Sequence, residues 1–164
     1  APVAIIQMGA TYIYNPLLGY LVERYHSREK SFFSLIGRIL AGIFFVGVIS
    51  SVALFFFGKL LLSLFYGAGI AKHTDLLQPM LACAFLTGIA WFVNDLLVSL
   101  DNYRGVFVGS MLSLISAVAV MAPAQMLFGL NGPTVSALIS NAICLIYQSS
   151  VLGRQTQQWF GEKR

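Results

Sequence analysis

Apolar residues fall into five long runs separated by short polar or charged breaks, and run length is what the pattern decides first. About 20 apolar residues carry a helix across a hydrocarbon layer of roughly 30 Å. Five stretches reach that length: Ala1 to about Leu21, Phe32 to Phe57, Leu76 to Leu100, Gly105 to Leu127 and Thr134 to Leu152. The pattern predicts an all-α fold, a polytopic transmembrane helix bundle of about five spanning helices occupying residues 1–152. A basic tail, 153–164, follows it. Asn15 and Pro16 predict a kink in the first helix. Between the second and third runs, Leu60 to Tyr66 is too short to span and predicts a separate helix lying in the interface. Thr74 or Asp75 is placed to cap the third helix.

Composition removes the soluble alternative. Hydrophobic residues make up 58% of the chain and charged residues 10%, with a mean hydropathy of +0.81, against roughly 25% charged in soluble domains. Ten basic and six acidic side chains cannot cover a core of that size. The net charge of +4 is dispersed between apolar runs, so no nucleic-acid-binding patch is expected. Cys83 and Cys144 lie inside apolar runs without a second Cys or a His at ligand spacing, so neither a metal site nor a disulfide is expected. The start lacks a basic n-region and a cleavage site, and reads as a chain opened inside or just before a helix.

Lys and Arg give the orientation, because cytoplasmic loops hold them in excess. One side collects Arg24, Arg28, Lys30, Arg38, Arg104, Arg154, Lys163 and Arg164; the other has Lys59 and Lys72. The first side, with the charged loop 22–31 and the tail, is expected in the cytoplasm. The neutral turn FGLNGP then faces outward, and Trp159 and Phe160 suit an interface anchor.

Close packing between lipid-embedded helices relies on small residues. Two rows recur at every fourth position: Gly132, Ser136, Ser140 and Cys144 in the fifth stretch, and Gly105, Gly109, Ser113 and Ala117 in the fourth. In an antiparallel hairpin the two rows lie at different depths and could meet only near mid-membrane, so at least one of them is expected to serve another helix. Ionisable groups inside spans are functional candidates because a central charge costs at least roughly 2.5 kcal/mol. Asp95 is the foremost, with Ser99 and Asn102 following at helical spacing and Gly88 and Trp91 preceding, as a polar stripe. It has several readings at this point: accepting a proton, coordinating Na⁺, lining an aqueous cavity, or pairing with Arg38 or Arg104. Arg38 itself either meets an anionic head group or snorkels to lipid phosphates. Asn94 and Asn141 are candidates for interhelical hydrogen bonds. No GxSxG, HExxH or phosphate-binding glycine loop occurs, so no enzyme, cofactor or metal is expected.

Four stretches, in their order and spacing, resemble the polysaccharide and O-antigen flippases of the multidrug/oligosaccharidyl-lipid/polysaccharide exporter superfamily. They are NPLLGYLVERYHSREKSFFSLIGR, LLLSLFYGAGIAKHTDLL, LLVSLDNYRGVFVGSMLSLI and FGLNGPTVSALIS, and together they cover nearly the whole chain. The resemblance implies a multi-pass protein of the bacterial inner membrane that translocates undecaprenyl-pyrophosphate-linked oligosaccharide by alternating access, for polysaccharide biosynthesis such as that of the O-antigen of lipopolysaccharide. Its implied partners are the lipid bilayer, the lipid-linked oligosaccharide and Na⁺ or H⁺ as coupling ion. Because members of that family have two lobes, it also implies that this chain holds most of one lobe and works with the missing lobe of the same protein. The first helix, entering from outside, corresponds to an even-numbered helix of either lobe; the basic tail favours the second. Two rival expectations stand beside it, a drug/cation antiporter of the same superfamily and a non-transporting membrane scaffold subunit.

Overall fold

The computed structural model describes residues 2–66 and 77–161. Five α-helices carry almost all of this: α1 (Pro2–His26), α2 (Ser31–Tyr66), α3 (Leu77–Ser99), α4 (Tyr103–Phe128) and α5 (Gly132–Gly161), with a short 3₁₀ turn, Gly129–Asn131, between the last two. Among the described residues, three helical stretches are long and apolar enough to cross a membrane. They are Ser31–Gly58, Pro79–Ser99 and Tyr103–Gly161, the last taking in α4, the turn and α5. α1 is not among them. The capping expectation for Thr74 and Asp75 lies outside the described residues.

Two expected boundaries differ. Leu60 to Tyr66 does not form a separate interfacial helix, because α2 runs unbroken from Ser31 to Tyr66. Gly58 costs only about 1 kcal/mol in a helix interior, and the residues after it, KLLLSLFY, include strong helix formers. At 36 residues and about 1.5 Å per residue, α2 is roughly 54 Å long. Nor does the fifth helix end near residue 152. α5 continues to Gly161, since the supposed tail still has an inner face: Thr156 is buried and Gln155, Trp159 and Phe160 are half-buried. α1 likewise remains one helix through Pro16.

The two turns at the Arg28 end share one construction. After α1, the Arg28 amide donates to Tyr25 O and the Glu29 amide to Arg24 O; after α3, Asp101 donates to Val98 O and Asn102 to Leu97 O. Each is a Schellman closure, which satisfies the last carbonyls of a helix by placing one residue in the left-handed region. That residue is Arg28 (φ 55°) in the first turn and Asp101 (φ 58°) in the second. Asn102 then starts the next helix, its Oδ1 accepting from the Gly105 amide at 2.9 Å.

The core gathers around α3. One face of α1 (Ala10, Tyr14, Leu21, Tyr25) and one of α2 (Phe32, Ile39, Ile43) meet Phe92, Val93, Leu96, Leu97 and Leu100. Close approaches fix the directions. A Cβ on Gly42 would lie 3.4 Å from Ile13, and one on Gly9 3.3 Å from Val46, so α1 and α2 run antiparallel. A Cβ on Gly88 would lie 3.2 Å from Ala10, while Tyr14 reaches Phe92 and Asp95; α1 and α3 are therefore parallel. Of the membrane-length stretches, α3 has 44% of its most apolar window buried against 18% and 11% for the others, which makes it the central helix. Large apolar side chains on the outer faces, among them Phe44, Phe45, Phe55, Phe56, Phe107 and Met126, are exposed.

α4 and α5 form the tightest pair, and both small-residue rows are used in it. A Cβ on Gly132 would come within 2.5 Å of Gln125 Cα, and Ser136 donates to Ala117 O at 2.9 Å. Further along, a Cβ on Gly109 would lie 2.8 Å from Gln148 and one on Gly105 2.9 Å from Val151. The expectation that one row must serve another helix is thus corrected. The two rows meet partway along the hairpin, where Ser136 bonds to Ala117 O; away from that level Gly132, Gly109 and Gly105 each receive a larger residue of the partner helix, Gln125, Gln148 or Val151. Gly132, Ser136, Ser140, Cys144, Gly105 and Gly109 are buried, and Ser113 and Ala117 half-buried.

Candidate functional site

The polar groups of the bundle interior converge on α3 from two sides. On the α1 side, the Tyr14 hydroxyl donates to Asp95 Oδ2 at 2.8 Å. Tyr14 is 1% exposed and its ring packs on Phe92, with centroids 5.4 Å apart, so the phenol is held by packing as well as by the bond. Asp95 is half-buried. It is also the one acidic residue within the three membrane-length stretches.

On the α5 side, three levels of hydrogen bonds form a ladder. Asn141 Nδ2 donates to Thr87 Oγ1 at 2.9 Å, and Gln148 Nε2 donates to Asn94 Oδ1 at 3.0 Å. At the third level Gln155 donates to Leu100 O at 3.2 Å and accepts from Asn102 Nδ2 at 2.7 Å. The pairs climb α3 and α5 in the same direction with almost constant separation, so the helices are parallel. Thr87 and Asn94 are one heptad apart, as are Asn141, Gln148 and Gln155, the spacing at which two gently supercoiled helices keep the same residues facing each other. Gln148, at the middle level, is 1% exposed and lies against Gly109 of α4. Its Oε1 has no described partner.

At the Arg28 end the two outer helices of the parallel set meet. Trp159 Nε1 donates to Tyr25 O at 2.9 Å, and the two rings stack with centroids 5.5 Å apart and planes 15° from parallel. Arg28 sits over the Trp159 ring, 4.4 Å from its centroid, a cation–π contact. Phe160 packs on Phe32 and Phe33. Trp159 and Phe160 therefore bind the end of α5 to the α1–α2 turn. Tyr25, His26, Leu100, Gln155, Gln158 and Trp159 line an open depression of about 650 Å³ beside them.

The candidates named from the sequence thus separate. Asp95 takes Tyr14 as partner, not Arg38 or Arg104; both arginines are exposed, and no ion pair joins either to it among the described residues. The polar stripe after Asp95 does not form one surface. Ser99 donates back to Asp95 O within α3 at 2.8 Å, and Asn102 is committed to capping α4 and to Gln155. Asn94 belongs to the α5 ladder. Tyr14, Thr87, Gln148 and Gln155 are site residues that the sequence reading misses. The signal for three of them was present as a seven-residue spacing of hydroxyl and amide side chains, within apolar runs for Thr87 and Gln148 and just beyond one for Gln155; Tyr14 carries no such mark.

Chemically, the arrangement offers one carboxylate held by one phenol, suited to taking up a proton or a small cation. Cys83 and Cys144 are free thiols. Among the described residues no three His, Cys, Asp or Glu side chains gather as a metal site would require. Compared with known protein families, curated proteins and solved structures, the chain matches none of them.

Proposed function

We propose that the chain is a membrane transporter of the flippase type, working as one lobe of a two-lobed protein. It would translocate undecaprenyl-pyrophosphate-linked oligosaccharide across the bacterial inner membrane by alternating access. The observation that carries this reading is the Tyr14–Asp95 hydrogen bond. A carboxylate placed within an apolar helix is expensive and is retained where it binds an ion or lines a pathway. The order of the four sequence stretches supports the choice of substrate class, and H⁺ or Na⁺ at Asp95 is the coupling ion of this proposal. On the distribution of Lys and Arg, the Arg28 end faces the cytoplasm.

The test uses the full-length protein in proteoliposomes carrying a fluorescent lipid-linked oligosaccharide, with an impermeant glycosidase reading how much is exposed on each side. Wild type equilibrates the two leaflets. Asp95→Asn, present in equal amount, slows equilibration by about tenfold, the factor that loss of one charge-assisted hydrogen bond carries. An unchanged rate in Asp95→Asn overturns the role of Asp95, and no equilibration by wild type overturns the substrate. The same carboxylate favours a second reading, a drug/cation antiporter, which efflux of a lipophilic cation from the same vesicles would distinguish. A scaffold subunit would move neither.

A further inference from the structure

The attachments between helices divide the bundle into a part that is fixed and a part that is not. Apolar contacts hold helices together weakly in lipid, where the surrounding tails are as apolar as the contact they replace. Polar ties and backbone-to-backbone approaches therefore decide which helices travel together. α5 is tied to α3 at three successive levels, Thr87–Asn141, Asn94–Gln148 and Leu100/Asn102–Gln155. Sliding by one residue would break all of them. α4 is tied to α5 where Gly132 admits the Gln125 backbone and where Ser136 donates to Ala117 O.

α1 is attached differently. Among the described residues its side-chain hydrogen bond to α3 is the one between Tyr14 and Asp95. Its second anchor is the Tyr25–Trp159 contact, about 16 Å further along the helix at roughly 1.5 Å per residue. The far anchor is built on two neutral rings, with Phe32, Phe160, the Arg28 guanidinium and the His26 imidazole around them. The near one depends on a titratable group. Against α3 at this level α1 otherwise makes apolar contacts, Ala10 on Gly88 and the Tyr14 ring on Phe92, and these hold only weakly against lipid once the polar tie is weakened.

We infer that Asp95 is a proton-operated latch on α1. A proton from bulk water adds to the carboxylate and converts a charge-assisted bond into a neutral one of about half the strength. The Tyr14 phenol keeps its own proton. α1 then swings about the Tyr25–Trp159 contact, away from a fixed block of α3, α4 and α5. Tyr14 is the titratable group that touches Asp95, with Thr11 beside it on α1. Arg38 of α2, Arg104 of α4 and Arg154 of α5 are exposed, and neither they nor Tyr147 of α5 bonds to the carboxylate. The purpose of the latch rests on the transport reading; its test does not.

Spin labels on Met8→Cys and Ile146→Cys report α1 against α5, and labels on Val98→Cys and Ile146→Cys report α3 against α5. All three positions are exposed, and Cys83 and Cys144 are replaced by Ala. Distances are measured by pulsed electron paramagnetic resonance on the full chain in lipid nanodiscs. Acidification from about pH 8 to about pH 3, past the reference value of about 3.9 for a free Asp side chain, lengthens the Met8–Ile146 distance in wild type by about 5 Å, one helical turn. Asp95→Asn and Tyr14→Phe give the longer distance at both pH values, and the Val98–Ile146 distance stays fixed throughout. The latch is overturned if both variants keep the short distance, if acid leaves the wild-type distance unmoved, or if the control pair lengthens equally. A protein that moves in this way yet equilibrates no oligosaccharide keeps the latch and loses the transport reading. One that transports without moving does the reverse.

Discussion

Backbone conformation at single residues governs how the turns at the Arg28 end respond to substitution. Arg28 and Asp101 both occupy the left-handed region, which costs a side-chain-bearing residue roughly 1–2 kcal/mol. For Asp101 the side chain gives little in return, since its contact with the Tyr103 hydroxyl is long at 3.3 Å. Asp101→Gly is therefore expected to raise stability by about 0.5–1 kcal/mol, read as a higher melting temperature in detergent. Arg28→Gly gains the same backbone relief but loses the contact over Trp159, so it should come out near neutral or lower. Glycines make the opposite contrast. Ala at Gly132 would press its methyl against Gln125 backbone atoms at 2.5 and 2.7 Å, whereas Ala at Gly19 meets nothing within 4 Å. Gly132→Ala should cost about 1–3 kcal/mol by forcing α4 and α5 apart. Gly19→Ala, in an open helix interior, should gain up to about 1 kcal/mol; equal melting temperatures for these two variants would refute the assigned contact.

Among the elements, α5 departs furthest from what its sequence suggests. Its apolar run ends near Leu152, and hydropathy alone ends the helix there, yet its inner face continues through Gln155, Thr156 and Trp159. Membrane-helix reasoning looks for continuous apolar length, and this part of α5 is held by amides and aromatic rings instead. Trp159→Ala should lower stability by about 2–4 kcal/mol, somewhat below the range for a fully buried Trp because Trp159 is half-exposed. The loss should exceed that of Arg28→Ala, whose half-buried cation–π contact is worth about 1 kcal/mol. The ladder predicts coupling. Asn94→Leu strands the buried Gln148 amide and Gln148→Leu the half-buried Asn94 amide, each at about 1–3 kcal/mol. The double variant should cost less than the two added together, because it leaves no orphan at that level. Strict additivity in a thermal-unfolding cycle would mean that the Asn94–Gln148 bond does not form.

For the whole molecule, run length and hydropathy make the all-helical architecture legible, because a helix that satisfies its own backbone is the economical form for such apolar segments. The way helices share partners is far less legible. Asp95 can be picked out as the one acid inside a membrane-length run, but Tyr14, its partner 81 residues away, looks like any other aromatic. The row Gly132, Ser136, Ser140, Cys144 can be read by spacing. That its glycine receives Gln125 backbone rather than a second small row depends on the offset of an antiparallel pair, which spacing along one helix does not contain. Orientation is argued from Lys and Arg alone and makes its own prediction. With Cys83 and Cys144 replaced, Asn131→Cys should react with an impermeant thiol reagent in intact cells and Arg28→Cys only after lysis. The reverse pattern would invert the assignment.

The ladder between α3 and α5 also sets an order in time. Tyr14 is synthesised before Asp95, so that carboxylate finds its phenol as soon as α3 inserts. Thr87 and Asn94 have no such luck, because Asn141 and Gln148 emerge from the ribosome only after α4 has been made. Until then the Thr87 hydroxyl can donate within its own helix, to Cys83 O, but the Asn94 amide is satisfied by neither lipid nor α1, a state costly enough to favour α3 staying beside the insertion machinery. Docking of α5 is thus the step that lets α3 settle, and the helix made later completes the one made earlier.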